Sequence, residues 1–144
     1  MKTIILFSLA LVFAANAAPA PAPVLDVRGK YLRTGAKYYV MPVVPDDEHG
    51  GLFPVNNTVA QSRDYDLGQQ LTFSPVNPKK GVIRLSTDVN IKFSDSTVWK
   101  VKYDKALKQY AVMVGGVEGN PGPETLDNWF KIEKTCNILK FPYY

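Results

Sequence analysis

Residues 89–114 read VNIKFSDSTVWKVKYDKALKQYAVMV, and this stretch decides the fold class. Val89, Ile91 and Phe93 alternate with Asn90 and Lys92. Thr97, Trp99, Val101 and Tyr103 alternate with Val98, Lys100 and Lys102. Tyr110, Val112 and Val114 alternate with Ala111 and Met113. A period of two sends one face of each run toward a core and the other toward water, so each reads as a half-buried strand. Tyr103-Asp104-Lys105-Ala106-Leu107-Lys108 has strand patterns on both sides and reads as a hairpin connection.

The same pattern continues outward. Tyr38-Tyr39-Val40-Met41 opens a strand that Pro42 limits. Strands near Leu71–Phe73 and Val82–Leu85 flank the loop Ser74–Gly81. Phe130 and Ile132 alternate with Lys131 and Glu133, and Ile138-Leu139-Lys140-Phe141 reads as a last strand. Polar, turn-rich segments separate these runs: Pro45–Gly51, Gly115-Gly116 and Gly119-Asn120-Pro121-Gly122-Pro123. Strands recurring at roughly ten-residue spacing with Gly, Pro, Asn and Asp between them predict an all-β sandwich or barrel. Little helical periodicity follows residue 17.

The N-terminus reads differently. Lys2, an apolar run from Ile4 to Ala15 and the small-x-small site Ala15-Asn16-Ala17 predict a secretory signal peptide over 1–17. The competing reading, a buried N-terminal helix, does not account for the cleavage site. Removal leaves 144 − 17 = 127 residues, the size of one domain. Ala18–Pro23 alternates Ala and Pro and is expected to stay outside the fold as a stiff leader. No later stretch is long and apolar enough to span a bilayer, so no membrane partner is expected after signal cleavage.

Composition narrows the function classes. Hydrophobic residues make up 46% of the chain, enough to bury an ordinary core. The formal net charge is +4, and Lys79-Lys80 is the only adjacent basic pair, so no nucleic-acid partner is expected. Cys136 is the single cysteine, which excludes an intramolecular disulfide and leaves it buried, free or paired with another molecule.

Several motifs in order resemble the plant Kunitz-type (soybean trypsin inhibitor) family, and its miraculin-like branch in particular. They are Val24-Leu25-Asp26-Val27-Arg28-Gly29-Lys30-Tyr31-Leu32 with Tyr38-Tyr39-Val40, then Gly50-Gly51-Leu52, Val59-Ala60-Gln61-Ser62-Arg63 and Ser96-Thr97-Val98-Trp99. Gly115 to Thr125, followed by Trp129-Phe130-Lys131-Ile132-Glu133, continues the match. It covers nearly all of 24–144. The resemblance implies a β-trefoil, here with an incomplete third unit, because relatives continue past the strand matched by Ile138–Phe141. An incomplete barrel has an open edge, so a homodimer through that edge is one expectation. Arg28 departs from the family's usual acidic or small polar residue. The family's disulfides are absent, with Cys136 matching one member of the second bridge.

The resemblance also implies a mode of action. The segment Ser74-Pro75-Val76-Asn77-Pro78-Lys79-Lys80-Gly81 occupies the place of the family's inhibitory loop. Such a loop enters a protease cleft as an extended strand, and pre-organisation supplies affinity. Pro75 and Pro78 would stiffen it. Reading forward from Ser74-Pro75 makes Asn77 the primary specificity residue. Reading backward from Ile83-Arg84 gives Lys79 or Lys80, or Arg84 if the loop is short, and the register stays open. Family inhibitors often brace the loop with an asparagine, and the matching position here is Thr34. The expected activity is inhibition of a secreted endopeptidase, most of all a serine protease, in plant defence or storage tissue. The alternative is a non-inhibitory miraculin-like binding or defence protein on the same scaffold. Secretion to the extracellular space or vacuole follows from the signal peptide.

Enzymatic chemistry finds no support. His49 is the only histidine, and no nucleophile motif, phosphate-binding glycine loop or Cys/His cluster is present, so no catalytic residue, cofactor or metal is expected. A weak cation site of His49 with Asp46, Asp47 and Glu48 is the bare alternative. Asp64, Asp66, Glu118 and Glu124 read as solvated loop residues. Asn56-Asn57-Thr58 is a glycosylation sequon, with Asn56 the candidate acceptor. Trp99 and Trp129 lie in alternating runs and read as core rather than as a sugar platform. Tyr143 and Tyr144 either pad the open barrel or stay outside it.

Overall fold

The structure is a computed structural model and describes residues 18–43, 49–77, 81–94 and 96–134. The strand expected at Ile138–Phe141, Cys136, Tyr143 and Tyr144 lie outside the described residues. Seven strands are present among them: β1 Leu52–Val55, β2 Thr58–Gln61, β3 Leu71–Pro75, β4 Asp88–Phe93, β5 Val98–Asp104, β6 Gln109–Gly116 and β7 Phe130–Lys131. They form one antiparallel sheet in the order β1-β2-β6-β5-β4-β3, and β7 pairs with β4. A single turn of 3-10 helix, Leu126–Asn128, precedes β7.

Turn chemistry explains the hairpins. Asn56 and Asn57 both adopt positive φ, 46° and 68°, in the two-residue loop between Val55 and Thr58. That is a type I′ turn, whose twist matches the strands it joins. At the β5–β6 connection the Asp104 carboxylate accepts the N–H groups of Ala106 and Leu107, and Lys108 closes the turn at φ 52°. The sequence-predicted hairpin is therefore present, with pairing from Val98↔Gly116 to Asp104↔Gln109.

The core is built from Leu32, Leu71, Phe73, Ile83, Val89, Ile91, Phe93 and Trp99, with Val112, Val114, Phe130 and Ile132 packed against it. Trp99 stands edge-on to both Phe93 and Phe130, with ring centroids 5.3 and 6.3 Å away. These are favoured aromatic geometries.

Four expectations need correction. Tyr38 makes only an isolated bridge to Leu71, and Tyr39 to Met41 form no strand. Val82–Leu85 likewise makes isolated bridges, Val82 to Arg33 and Arg84 to Pro23, although Ile83 is fully buried. In β5 a register shift between Val98 and Trp99 buries both neighbours, and Tyr103 and Tyr110 lie exposed beyond the core. The leader does not stay apart from the fold. The Leu85 N–H donates to the Ala22 carbonyl at 2.9 Å, and Arg84 Nη1 donates to the Pro21 carbonyl at 2.6 Å. Proline has no N–H to give, but its carbonyl still accepts.

Candidate functional site

The ascending limb of the 74–81 segment begins as strand. Ser74 pairs with Asn90 and Pro75 with Val89, and the Val76 N–H donates to the Asp88 carbonyl at 3.1 Å. The expected loop is therefore shorter at its start by two residues. Proline is tolerated there because β3 is the last strand in the sheet order. Beyond it Val76 is 46% exposed and Asn77 is exposed as well. Pro78, Lys79 and Lys80 lie outside the described residues.

The descending limb starts at Gly81. Its φ is +61°, with open space around the α-carbon, so the conformation and not crowding asks for glycine. The Thr34 N–H donates to the Gly81 carbonyl at 3.2 Å, and Arg33 bridges Val82. Deeper, the Ile83 N–H donates to the Leu32 carbonyl, and the Val24 N–H donates to the Ile83 carbonyl. The other stem is reached from the same short segment, because the Gly35 N–H donates to the Phe73 carbonyl at 3.2 Å. Two successive residues, Thr34 and Gly35, thus bond to the two limbs.

Thr34 contacts the descending limb, but through its backbone and not its side chain. Its Oγ1 is buried and has no hydrogen-bond partner among the described residues. The sequence reading missed Arg33 and Gly35, which share the bracing. Gly35 at φ +71° was the available signal, since a glycine after Thr34 allows the chain to turn from one limb to the other. Arg84 is tied to the leader through its Nη1 bond to the Pro21 carbonyl. A cavity of about 400 Å³ lies beside the loop, lined by Pro21, Pro75, Val76, Asn77, Val82 and Arg84 among others.

The remaining candidates fall elsewhere. Asn56 is exposed at the β1–β2 turn. Asp46, Asp47 and Glu48, the imagined partners of His49, lie outside the described residues, and no metal-binding group of three His, Cys, Asp or Glu occurs among those described. Asp66 is structural: its two oxygens accept from Ser62 Oγ and the Gly68 N–H. Glu118 pairs with Lys92 at 3.6 Å. Trp99 is core, and Trp129 is half-buried. No described helix is long and apolar enough to cross a membrane.

The profile of the Kunitz legume family, described as trypsin and protease inhibitor, matches residues 24–144. The chain belongs to this Kunitz family. Miraculin from Synsepalum dulcificum is 48% identical over 138 residues, covering 81% of this chain and 62% of miraculin. Kunitz trypsin inhibitor 5 from Arabidopsis thaliana is 41% identical over 124 residues, covering 80% of this chain and 62% of its own length. The chain thus spans about 62% of the length of these curated relatives. Among solved structures, a Kunitz-type cysteine protease inhibitor from potato superposes with a TM-score of 0.67 at 29% identity, over 80% of this chain and 69% of that one. The fold is the all-β trefoil of the Kunitz family, as the resemblance implied.

Proposed function

We propose that this Kunitz chain is a secreted inhibitor of endopeptidases, serine proteases foremost, that docks the 76–81 segment into the protease cleft. The carrying observation is the bracing of that segment: Thr34 and Gly35 bond to both of its limbs while Val76 and Asn77 stay exposed. A segment held at both ends loses less entropy on docking, which is what a substrate-like inhibitor needs. Pro75, at the end of β3, fixes the backbone entering the segment, and a proline at 78 restricts φ within it. Lys79 or Lys80 supplies the cation for an acidic specificity pocket, and Asn77 is the third candidate. The chain acts by binding and not by catalysis. Residues 1–17 direct secretion, and Asn56, exposed on its turn, accepts a glycan. Pairing of two copies through an open barrel edge belongs to the same proposal, and a monodisperse monomer on sizing would remove it.

The test is titration of trypsin, chymotrypsin and a cysteine protease with the purified mature chain, then with Lys79→Ala and Lys80→Ala. Tight trypsin inhibition, reduced at least about 100-fold in one lysine variant, is expected, because a desolvated ion pair loses several kcal/mol with one partner gone. No inhibition by a well-folded chain would favour the non-inhibitory binding protein.

A further inference from the structure

The β5–β6 hairpin carries side chains that neither the core nor the loop uses. Tyr103 and Tyr110 pair across the strands with ring centroids 5.5 Å apart, nearly perpendicular. They continue the core-facing alternation of Trp99, Val101, Val112 and Val114, yet are 48% and 73% exposed. At the apex Leu107 is 54% exposed, with exposed Lys105 and Lys108 beside it. Lys102, also exposed, pairs with Ala111 and so lies on the face opposite the tyrosines. Asp104 is the one acid between residues 102 and 110, and its Oδ1 is occupied by two turn N–H groups.

We propose that this hairpin tip docks peripherally on an anionic lipid surface. Lys102 on one face, tyrosines on the other and a leucine flanked by Lys105 and Lys108 at the apex cannot all meet a partner that covers one side. A surface into which the tip dips meets all of them at once. Tyrosine suits the boundary between water and hydrocarbon, and lysine extends its ammonium to the headgroups while its stem stays in contact with apolar surface. Anionic headgroups attract each lysine near the surface. The sequence reading looked only for spanning segments, and no span is involved here. The inference shares no residue with the 76–81 segment and stands apart from the inhibitor reading.

The experiment is co-sedimentation of the purified mature chain, residues 18–144, with phosphatidylserine-rich vesicles and with phosphatidylcholine vesicles, at low and high salt. Binding to the anionic vesicles alone is expected, weakened by salt. The double variant Lys105→Ala/Lys108→Ala is expected to lose about 30-fold in partitioning, from the typical attraction per lysine. Leu107→Ser is expected to weaken binding as well. All three side chains are exposed, so melting midpoints should match the parent; if one shifts, Lys105→Gln/Lys108→Gln replaces that variant. Equal binding to both vesicle types, or variants that bind as the parent does, would overturn the proposal. So would capture by polygalacturonate that the lysine variant loses and Leu107→Ser keeps, with no vesicle binding, since that pattern belongs to a polyanionic glycan.

Discussion

Asn90 occupies a position that alternation assigns to water, between Val89 and Ile91, but it is 2% exposed. Its Nδ2 donates to the Asn128 carbonyl at 2.7 Å, and Asn128 Nδ2 donates to the Val117 carbonyl at 3.0 Å. Two buried asparagines therefore fasten the loop after β6 onto β4. Truncating one partner leaves the other polar group buried without a bond. Asn90→Ala is accordingly expected to destabilise the chain by about 1–3 kcal/mol, read as a lower urea midpoint at unchanged m-value. No periodicity reveals such a residue, because the partner that makes its burial tolerable comes from 38 residues away. Thr34 is the converse case. The family resemblance singled it out for its side chain, but the contact to Gly81 is made by its N–H, which every residue but proline possesses.

At the scale of elements, the β5–β6 hairpin was legible, whereas the β1–β2 hairpin and the isolated bridges were not. The β5–β6 hairpin was readable because its turn chemistry and its pairing are local. The segment Val82–Leu85 looked like a strand by composition, but its partners come from residues 23–33 and bond at single positions. The leader was misread for the same reason: Pro21 meets Arg84 across 63 residues. A mature chain starting at Pro23 loses the Ala22–Leu85 and Pro21–Arg84 bonds. It is expected to be less stable by about 1–3 kcal/mol, since each net bond contributes about 0.5–1.5 kcal/mol, and thermal melting checks this. If the leader lay apart from the fold, the midpoint would not move.

For the molecule as a whole, periodicity reached all-β, and only the ordered motifs reached the trefoil. Strand alternation reports which face is buried but not how strands of distant sequence close on one another. The closed part of the core runs from Leu32 through Phe93 to Trp99. Beside it lies a cavity of about 1050 Å³, with Leu32, Phe73, Ile91, Trp99 and Ile132 in its wall. The loop limbs anchor on the same packed residues, through the carbonyls of Leu32 and Phe73. A rigid core holding the chain on both sides of the proposed docking segment is the central claim, and hydrogen–deuterium exchange tests it most directly. With excess trypsin, amide protection should rise in peptides spanning residues 76–81 and stay unchanged over 104–109. Protection that falls elsewhere, or none at all while trypsin is inhibited, would contradict the account.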